Sequence, residues 1–160
     1  GKEPVKPDSA DVEACEKWEK DRVDDHKKAG TVRFFMQQLR GFLHGFRFKG
    51  KDLLQSIREM VFQMRLPGEA QKIDRLMEAF AQHWYECNRD SGSTINPFLS
   101  VDAAFILSFS IIMLNTDLHS GKLDKTMTKD QFRSMNRGID NGQNVPDEYL
   151  SAVYDAVKSE

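Results

Sequence analysis

The chain has 160 residues, and its 23 Lys and Arg against 25 Asp and Glu give a formal net charge of −2. Hydrophobic residues make up 39% and charged residues 30%, which is typical of a soluble globular domain with one buried core and excludes collagen-like and wholly disordered chains. Two cysteines are too few for a small disulfide scaffold, and the balanced charge argues against a nucleic-acid-binding protein, so we expect no nucleic acid partner.

Residues 1–30 are rich in charges of both signs and lack the apolar core of a secretory signal. Pro4 and Pro7 predict that residues 1–11 are frayed or form a linker. We therefore expect residues 1–30 to be a charged N-terminal segment, helical or partly disordered, ahead of a single domain over residues 31–160.

Residues 31–51 are basic and contain no acidic residue. Arg33, Arg40 and Arg47 recur every seven residues, which places them on one face of a helix. Five apolar residues share another face: Phe35, Leu39, Phe42, Leu43 and Phe46. We favour a core helix with a solvated basic face, and the alternative is a surface that binds RNA or an anionic membrane.

Helical periodicity continues downstream. A broad apolar stripe predicts a helix over residues 69–87 and is formed by Ala70, Ile73, Leu76, Met77, Phe80, Ala81 and Trp84. The polar stretch Asn88–Asn96 is predicted to be a surface loop. Residues 103–114 form the longest apolar run, and its 12 residues fall short of the roughly 20 that a membrane-spanning helix needs, so we expect a buried helix.

Cap signals mark the remaining helices. Ser100 or Asp102 is a candidate N-cap for a helix that begins near Ala103, and Thr128 is a candidate N-cap for a helix that ends at Met135. Pro146 marks the start of the last helix. The buried face of the last helix is expected to contain Val153, Tyr154 and Val157. Asn141-Gly142 is predicted to be an interhelical turn. Because alternating strand patterns are missing, the sequence predicts an all-α domain of six to eight helices.

Three local motifs do not support ligand sites. Gly45–Asp52 nearly spells a phosphate-binding loop, but Asp52 stands where the motif needs a Ser or Thr hydroxyl for Mg²⁺, and a helix is predicted ahead of it. His83, Glu86 and Cys87 on one helix face make an incomplete zinc site. Arg137 occupies the first position of the calcium loop that Gly142 would imply, and it cannot bind Ca²⁺. We therefore predict no metal site.

Two longer motifs carry a family resemblance. Arg65–Arg75, which reads Arg-Leu-Pro-Gly-Glu-Ala-Gln-Lys-Ile-Asp-Arg, resembles the first signature of the Sec7 domain, the exchange factor for ADP-ribosylation-factor GTPases. Asp102–His119 resembles the second signature. Phe48–Leu53 resembles the helix before the first signature, and Met127-Thr128 and Met135–Ile139 resemble the helix that follows the second. The resemblance covers about residues 42–158.

The resemblance implies a fold and a mechanism. The fold is an all-α right-handed superhelix with a hydrophobic groove for the switch regions of the GTPase, and its N-terminal part is short or atypical here. Glu69 is the implied catalytic residue, because the loop that carries it approaches the β-phosphate and Mg²⁺ of the bound GDP. A carboxylate there repels the phosphates and disfavours the metal, so GDP is released without covalent chemistry. The chain itself would hold no cofactor.

The resemblance also assigns residues to two surfaces. The implied GTPase-binding groove is lined by Arg65, Leu66, Lys72, Phe105, Phe109, Ile112, Met113, Asn115 and Ser120. Ser120-Gly121 replaces the usual Asn-Pro, which affects one switch contact. Family members that brefeldin A inhibits carry Tyr, Ser, Asp and Met at four positions occupied here by Phe109, Ser110, Asp117 and Met127. Since Phe109 lacks the Tyr hydroxyl, we expect weak sensitivity.

The implied partner is an ADP-ribosylation-factor GTPase, which carries the GDP or GTP. The implied location is cytoplasmic, peripheral to Golgi or endosomal membranes, with membrane association through other regions of a longer protein. The alternative function is a helical partner- or membrane-binding module without exchange activity. That alternative depends on the basic face of residues 31–51 and on the apolar groove.

Overall fold

The computed structural model describes residues 12–64, 70–121 and 125–160. Within these ranges the chain forms six helices and no strand beyond an isolated bridge between Asp140 and Gln143. The helices are α1 (Val12–Leu43), α2 (Leu53–Gln63), α3 (Ala70–Asn88), α4 (Val101–His119), α5 (Lys129–Met135) and α6 (Asp147–Lys158). The predicted all-α fold is confirmed.

The chain divides into two compact units, residues 1–39 and residues 40–160. In the first unit, residues 12–39 belong to α1, and the side chains of Lys27, Lys28 and Arg33 are exposed. The second unit contains the end of α1 and the helices α2 to α6.

The core of the second unit is organised around α4. This helix packs against α2, α3 and α6, and α5 packs against α6. The predicted stripe on α3 supplies fully buried side chains, and so does the inner face of α4: Leu76, Met77, Phe80, Ala81, Trp84, Leu107 and Leu114. Each large apolar side chain removed from water in this way stabilises the fold by about 1.5–3 kcal/mol.

By length and composition alone, α4 is the one helix in the described ranges that could cross a membrane. Packing accounts for part of its apolar composition, since Ala103, Ala104, Leu107, Ile111 and Leu114 are buried and three helices contact it. The prediction of a buried helix at residues 103–114 is confirmed for this inner face.

Cap residues set the helix starts as expected. The Ser100 hydroxyl accepts a hydrogen bond from the backbone N–H of Ala103 at 3.2 Å, so Ser100 rather than Asp102 is the N-cap of α4. Thr128 and Gln131 form a reciprocal capping box at the start of α5. Pro146 precedes α6, whose buried residues include the predicted Val153, Tyr154 and Val157. The Asn141-Gly142 turn lies between α5 and α6, with positive φ at both residues.

The segment Phe48–Leu53 differs from the expected helix. The structure begins α2 only at Leu53, and the Asp52 carboxylate accepts a hydrogen bond from the backbone N–H of Gln55 at 2.8 Å. Asp52, the residue that departs from the phosphate-loop motif, is therefore the N-cap of α2. The N-cap requires extended backbone at Asp52, so the helix cannot extend backwards through Gly50, whose φ is +77°.

The prediction for Asn88 was also wrong. Asn88 was expected in a surface loop, but it is fully buried at the end of α3. Its side-chain amide donates to the carbonyl oxygens of Phe48 at 2.9 Å and Trp84 at 3.1 Å. Its side-chain oxygen accepts from the N–H of Gly50 at 2.8 Å and the hydroxyl of Ser91 at 2.9 Å. Asn88 thus joins α3 to the turn ahead of α2, and the exposed loop begins after it.

The prediction that Phe42 lies in the core was wrong as well. The sequence grouped it with the core face, but 45% of its surface is exposed, whereas Leu43 and Phe46 are buried. Phe42 and Leu43 are adjacent in α1, so their side chains point about 100° apart around the helix, and Leu43 takes the buried side.

Candidate functional site

Helix α4 is apolar on two faces that point in different directions. The inner face is buried and consists of Ala103, Ala104, Leu107, Ile111 and Leu114. The outer face contains Phe105, Phe109 and Ile112, which are half-buried, and Met113, which is 48% exposed. These four follow the i, i+4, i+7, i+8 spacing of one helix face. The structure therefore places four of the predicted groove residues together on one accessible stripe, which we call the α4 stripe.

An apolar groove of about 640 Å³ lies between α2, α4 and the end of α6. Its apolar lining comes from Leu54, Ile57, Val61, Phe62, Ile111, Ile112 and Val157. Among the predicted residues, Ile112 and Asn115 line this groove, whereas Phe105, Phe109 and Met113 do not.

The contribution of α2 to this groove was not predicted. Phe62 is 92% exposed at its edge, an unusual exposure for a large aromatic side chain. The signal was present in the sequence, since Leu54, Ile57, Val61 and Phe62 fall at helical spacing. Arg58 of α2 forms an ion pair with Glu160 and donates a hydrogen bond to the carbonyl of Ala156 at 3.2 Å, which ties α2 to the end of α6.

A second cleft, of about 950 Å³, lies between the C-terminal part of α4, residues 125–128 and α5. It brings together Asp117 and Met127, two of the four residues at the predicted inhibitor positions. The Asp117 carboxylate accepts a hydrogen bond from the backbone N–H of Met127 at 2.5 Å, and the Tyr154 hydroxyl donates to the Met127 carbonyl at 2.8 Å. These two bonds hold the backbone of Met127 at the cleft wall.

The residues at the other two predicted inhibitor positions differ in exposure. Ser110 is buried, and its hydroxyl donates to the side-chain oxygen of Asn136 at 2.9 Å. Phe109 is half-buried on the α4 stripe. The hydroxyl of Ser110 is thus engaged within the core, while the ring of Phe109 is accessible.

The remaining predicted groove residues are dispersed. Lys72 is exposed near the start of α3, Asn115 is exposed on α4, and Ser120 is the half-buried C-cap of α4. Arg65, Leu66 and Glu69 lie outside the described residues. Glu69 directly precedes Ala70, the first residue of α3.

The His83 and Cys87 side chains meet on α3 as the spacing indicated. The Cys87 sulfur lies 3.8 Å from Nε2 and 4.0 Å from Nδ1 of His83, and His83 Nε2 lies 3.2 Å from the carbonyl oxygen of Phe46. Burial raises the pKa of the Cys87 thiol, which disfavours the thiolate that metals require. No cluster of three or more His, Cys, Asp or Glu side chains in the described ranges is arranged to hold a metal ion.

Comparison with known proteins places these features in a family. The family model of the Sec7 domain matches residues 25–160, a wider span than the motifs covered. The chain is 45% identical over 125 residues to brefeldin A-inhibited guanine nucleotide-exchange protein 4 of Arabidopsis thaliana, and 46% identical over 125 residues to brefeldin A-inhibited guanine nucleotide-exchange protein 1 of Homo sapiens. Each alignment covers 78% of this chain but only 7% and 6% of those relatives, respectively.

Solved structures show the same fold. The structure resembles the Sec7p catalytic domain with a TM-score of 0.69 at 36% identity, covering 76% of this chain and 61% of that one. It also resembles a structure of ARF1-GDP bound to a Sec7 domain complexed with brefeldin A. The TM-score is again 0.69 at 36% identity, and the match covers 78% of this chain and 60% of the matched chain. From the two signatures, the helical fold and these matches, it follows that the chain belongs to the Sec7 domain family.

Proposed function

We propose that this chain is a guanine-nucleotide exchange domain for an ADP-ribosylation-factor GTPase. The α4 stripe carries the proposal, because it exposes four apolar side chains on a helix whose opposite face is already buried. Apolar side chains that remain accessible together on a folded domain are typical of a protein-binding surface. The resemblance to a Sec7 domain that binds ARF1-GDP supports a GTPase as the protein bound.

In this proposal the domain acts through binding and electrostatics. The α4 stripe receives apolar switch residues of the GTPase, Asn115 of the same helix offers a polar contact, and Lys72 offers another from the start of α3. Glu69, immediately before α3, delivers a carboxylate to the site where the partner holds Mg²⁺ and the β-phosphate of GDP. Like charges repel strongly in a partly dry interface, so the carboxylate weakens GDP binding. No covalent bond changes, and the GTPase carries the nucleotide.

The test is release of fluorescent GDP from ARF1, with Mg²⁺ present, as a function of the concentration of this chain. We expect wild type to accelerate release and Glu69→Lys to lose about 10²-fold or more of that acceleration, the size typical of removing one catalytic electrostatic group. Glu78→Lys is the matched control, since Glu78 is an exposed carboxylate on α3, and it should retain wild-type activity. Circular dichroism confirms that each variant is helical.

Two results would refute the proposal. A folded wild-type chain that does not accelerate release from any ADP-ribosylation-factor GTPase would remove the exchange function. Full activity of Glu69→Lys would leave the exchange function in place but remove the glutamate mechanism.

The cellular setting of the proposal follows the relatives. Both named relatives are described as inhibited by brefeldin A. We place the activity at the cytoplasmic face of Golgi or endosomal membranes, in vesicle trafficking, with other regions of a longer protein contributing to membrane association. Fluorescence microscopy of a tagged longer protein that contains this chain, against Golgi and endosomal markers, tests this placement.

A further inference from the structure

The positive charge of this chain is concentrated in one segment. Residues 26–51 contain seven Lys or Arg and no Asp or Glu, whereas residues 52–160 contain 11 Lys or Arg and 16 Asp or Glu, a net charge of −5. Of the seven basic side chains, six are exposed, and the seventh, Lys51, pairs with Glu59. The positive charge of residues 26–51 is therefore exposed to solvent, while residues 52–160 carry a net negative charge.

Within the second unit, one of these basic residues, Arg40, lines a small cleft. Arg40 and His44 line a cleft of about 300 Å³ together with residues of α3, among them Gln82, His83 and Glu86. Glu86 is the acidic residue of the lining, and its carboxylate accepts a hydrogen bond from the Gln82 amide at 2.5 Å. The His44 and His83 rings contact each other edge to face, with centroids 4.7 Å apart.

An exposed aromatic side chain accompanies the basic residues. Phe42 is 45% exposed, and its ring rests edge-on against Phe46 at a centroid distance of 5.3 Å. Phe46 in turn stacks on the fully buried Phe48 at 5.4 Å. The Phe42 ring thus packs against the aromatic core on one side and is accessible to solvent on the other.

We propose that Arg40, Phe42, His44, Arg47 and Lys49, which we call the basic aromatic surface, bind an anionic lipid membrane. Basic side chains attract the negative headgroups, and an exposed Phe inserts at the boundary of headgroups and acyl chains. Because residues 52–160 carry a net charge of −5, attraction to an anionic membrane is expected from this basic segment and not from the charge of the rest of the domain. This inference does not depend on the proposed exchange function.

The experiment uses the complete 160-residue chain and cosedimentation with vesicles. Phosphatidylcholine vesicles with about 30 mol% phosphatidylserine should bind the chain, and vesicles of phosphatidylcholine alone should bind it about tenfold more weakly or not at all. Raising the salt from about 0.1 M to about 1 M shortens the screening length from about 10 Å to about 3 Å and should reduce the anionic binding by at least about tenfold.

Matched variants locate the surface. Arg40→Glu/Arg47→Glu should weaken vesicle binding by at least about tenfold, while Arg137→Glu/Lys158→Glu, with the same charge change at exposed positions, should stay within about twofold of wild type. Phe42→Ser should weaken binding at every salt concentration, and Leu99→Ser, which removes a side chain that is 61% exposed, should not. GDP exchange on a GTPase in solution without vesicles should be unchanged in all four variants.

Several results would overturn the inference. Equal loss in the two charge-reversal variants would show an effect of net charge rather than of this surface. Equal binding to neutral and anionic vesicles would remove the role of the basic residues. If inorganic phosphate at millimolar concentration released the chain from the vesicles, the cleft would be a phosphate site. If the chain bound single-stranded RNA more tightly than vesicles, the surface would be a nucleic-acid-binding surface.

Discussion

The hydroxyl of Ser100 donates a hydrogen bond to Oδ1 of Asp140 at 3.0 Å, across 40 residues of sequence. The same hydroxyl accepts from the N–H of Ala103 as the N-cap of α4, and Oδ2 of Asp140 accepts from the N–H of Leu99 at 2.8 Å. Asp140 is 2% exposed, in the turn after α5. The start of α4, and with it the position of the α4 stripe, is therefore fixed by a residue that follows α4 in the sequence.

Replacing Asp140 should destabilise the second unit. Asp140→Ala removes two hydrogen bonds to a buried carboxylate and leaves the Leu99 N–H without its acceptor, so we expect a loss of about 2–4 kcal/mol in the free energy of unfolding. Urea denaturation followed by circular dichroism measures it. Asp90→Ala, at an exposed loop position, should change stability by less than about 0.5 kcal/mol, and an equally small effect of Asp140→Ala would contradict the structural role.

The two faces of α4 should respond differently to substitution. Met113→Glu places a charge on the accessible stripe, so exchange activity should fall by about tenfold or more, while stability changes by less than about 1 kcal/mol. Leu107→Ala opens a cavity at a fully buried position and should cost about 2–5 kcal/mol of stability, with the exchange rate per folded molecule retained.

GDP release and thermal unfolding, measured on the same preparations, separate these two effects. If Met113→Glu were as active as wild type, the α4 stripe would not be the surface that the GTPase contacts. Loss of activity in Leu107→Ala at a temperature where the variant is folded would argue against a purely structural inner face.

Sensitivity to brefeldin A should increase when Phe109 becomes Tyr. The Phe109 ring is half-buried on the stripe, and the added hydroxyl supplies a hydrogen bond of about 0.5–1.5 kcal/mol, equivalent to roughly a twofold to thirteenfold lower inhibitory concentration. Phe105→Tyr makes the same change one turn away and should leave inhibition unaltered. Complete block of the wild type at low inhibitor concentration would show that the hydroxyl is not needed.

The ion pair between Asp147 and Arg133 should make stability depend on pH. Hydrogen bonding by Arg133 holds the pKa of Asp147 below its ordinary value of 3.8. Because the folded state binds this proton more weakly than the unfolded state, the pair stabilises the fold above pH 3.8, and its contribution is lost as the pH falls through the lower folded-state value.

Asp147→Asn should therefore melt at a slightly lower temperature than wild type at pH 7, and the difference should vanish in strong acid. The effect should also shrink in high salt, because the Asp147 carboxylate is exposed. A melting difference that is the same at neutral and acidic pH would show that the ion pair is not its source.

The sequence by itself determined the features that depend on neighbours within one helix. The Thr128 cap and the stripe from Leu76 to Trp84 were predicted correctly, because a cap bonds to residues two or three positions ahead and a helix presents every third or fourth residue to the same side. The two faces of the run after Ala103 could be expected for the same reason, since its apolar residues surround the helix.

Only the tertiary structure decided which surfaces meet. Asn88 reads as a loop residue, yet it is buried because the turn at residues 48–50 closes over it and satisfies its amide. Phe42 keeps the spacing of a core residue, yet 45% of its surface is exposed, because the adjacent Leu43 takes the buried side of α1. Burial depends on partners that lie far away in the sequence, and periodicity along one helix carries no record of where those partners pack.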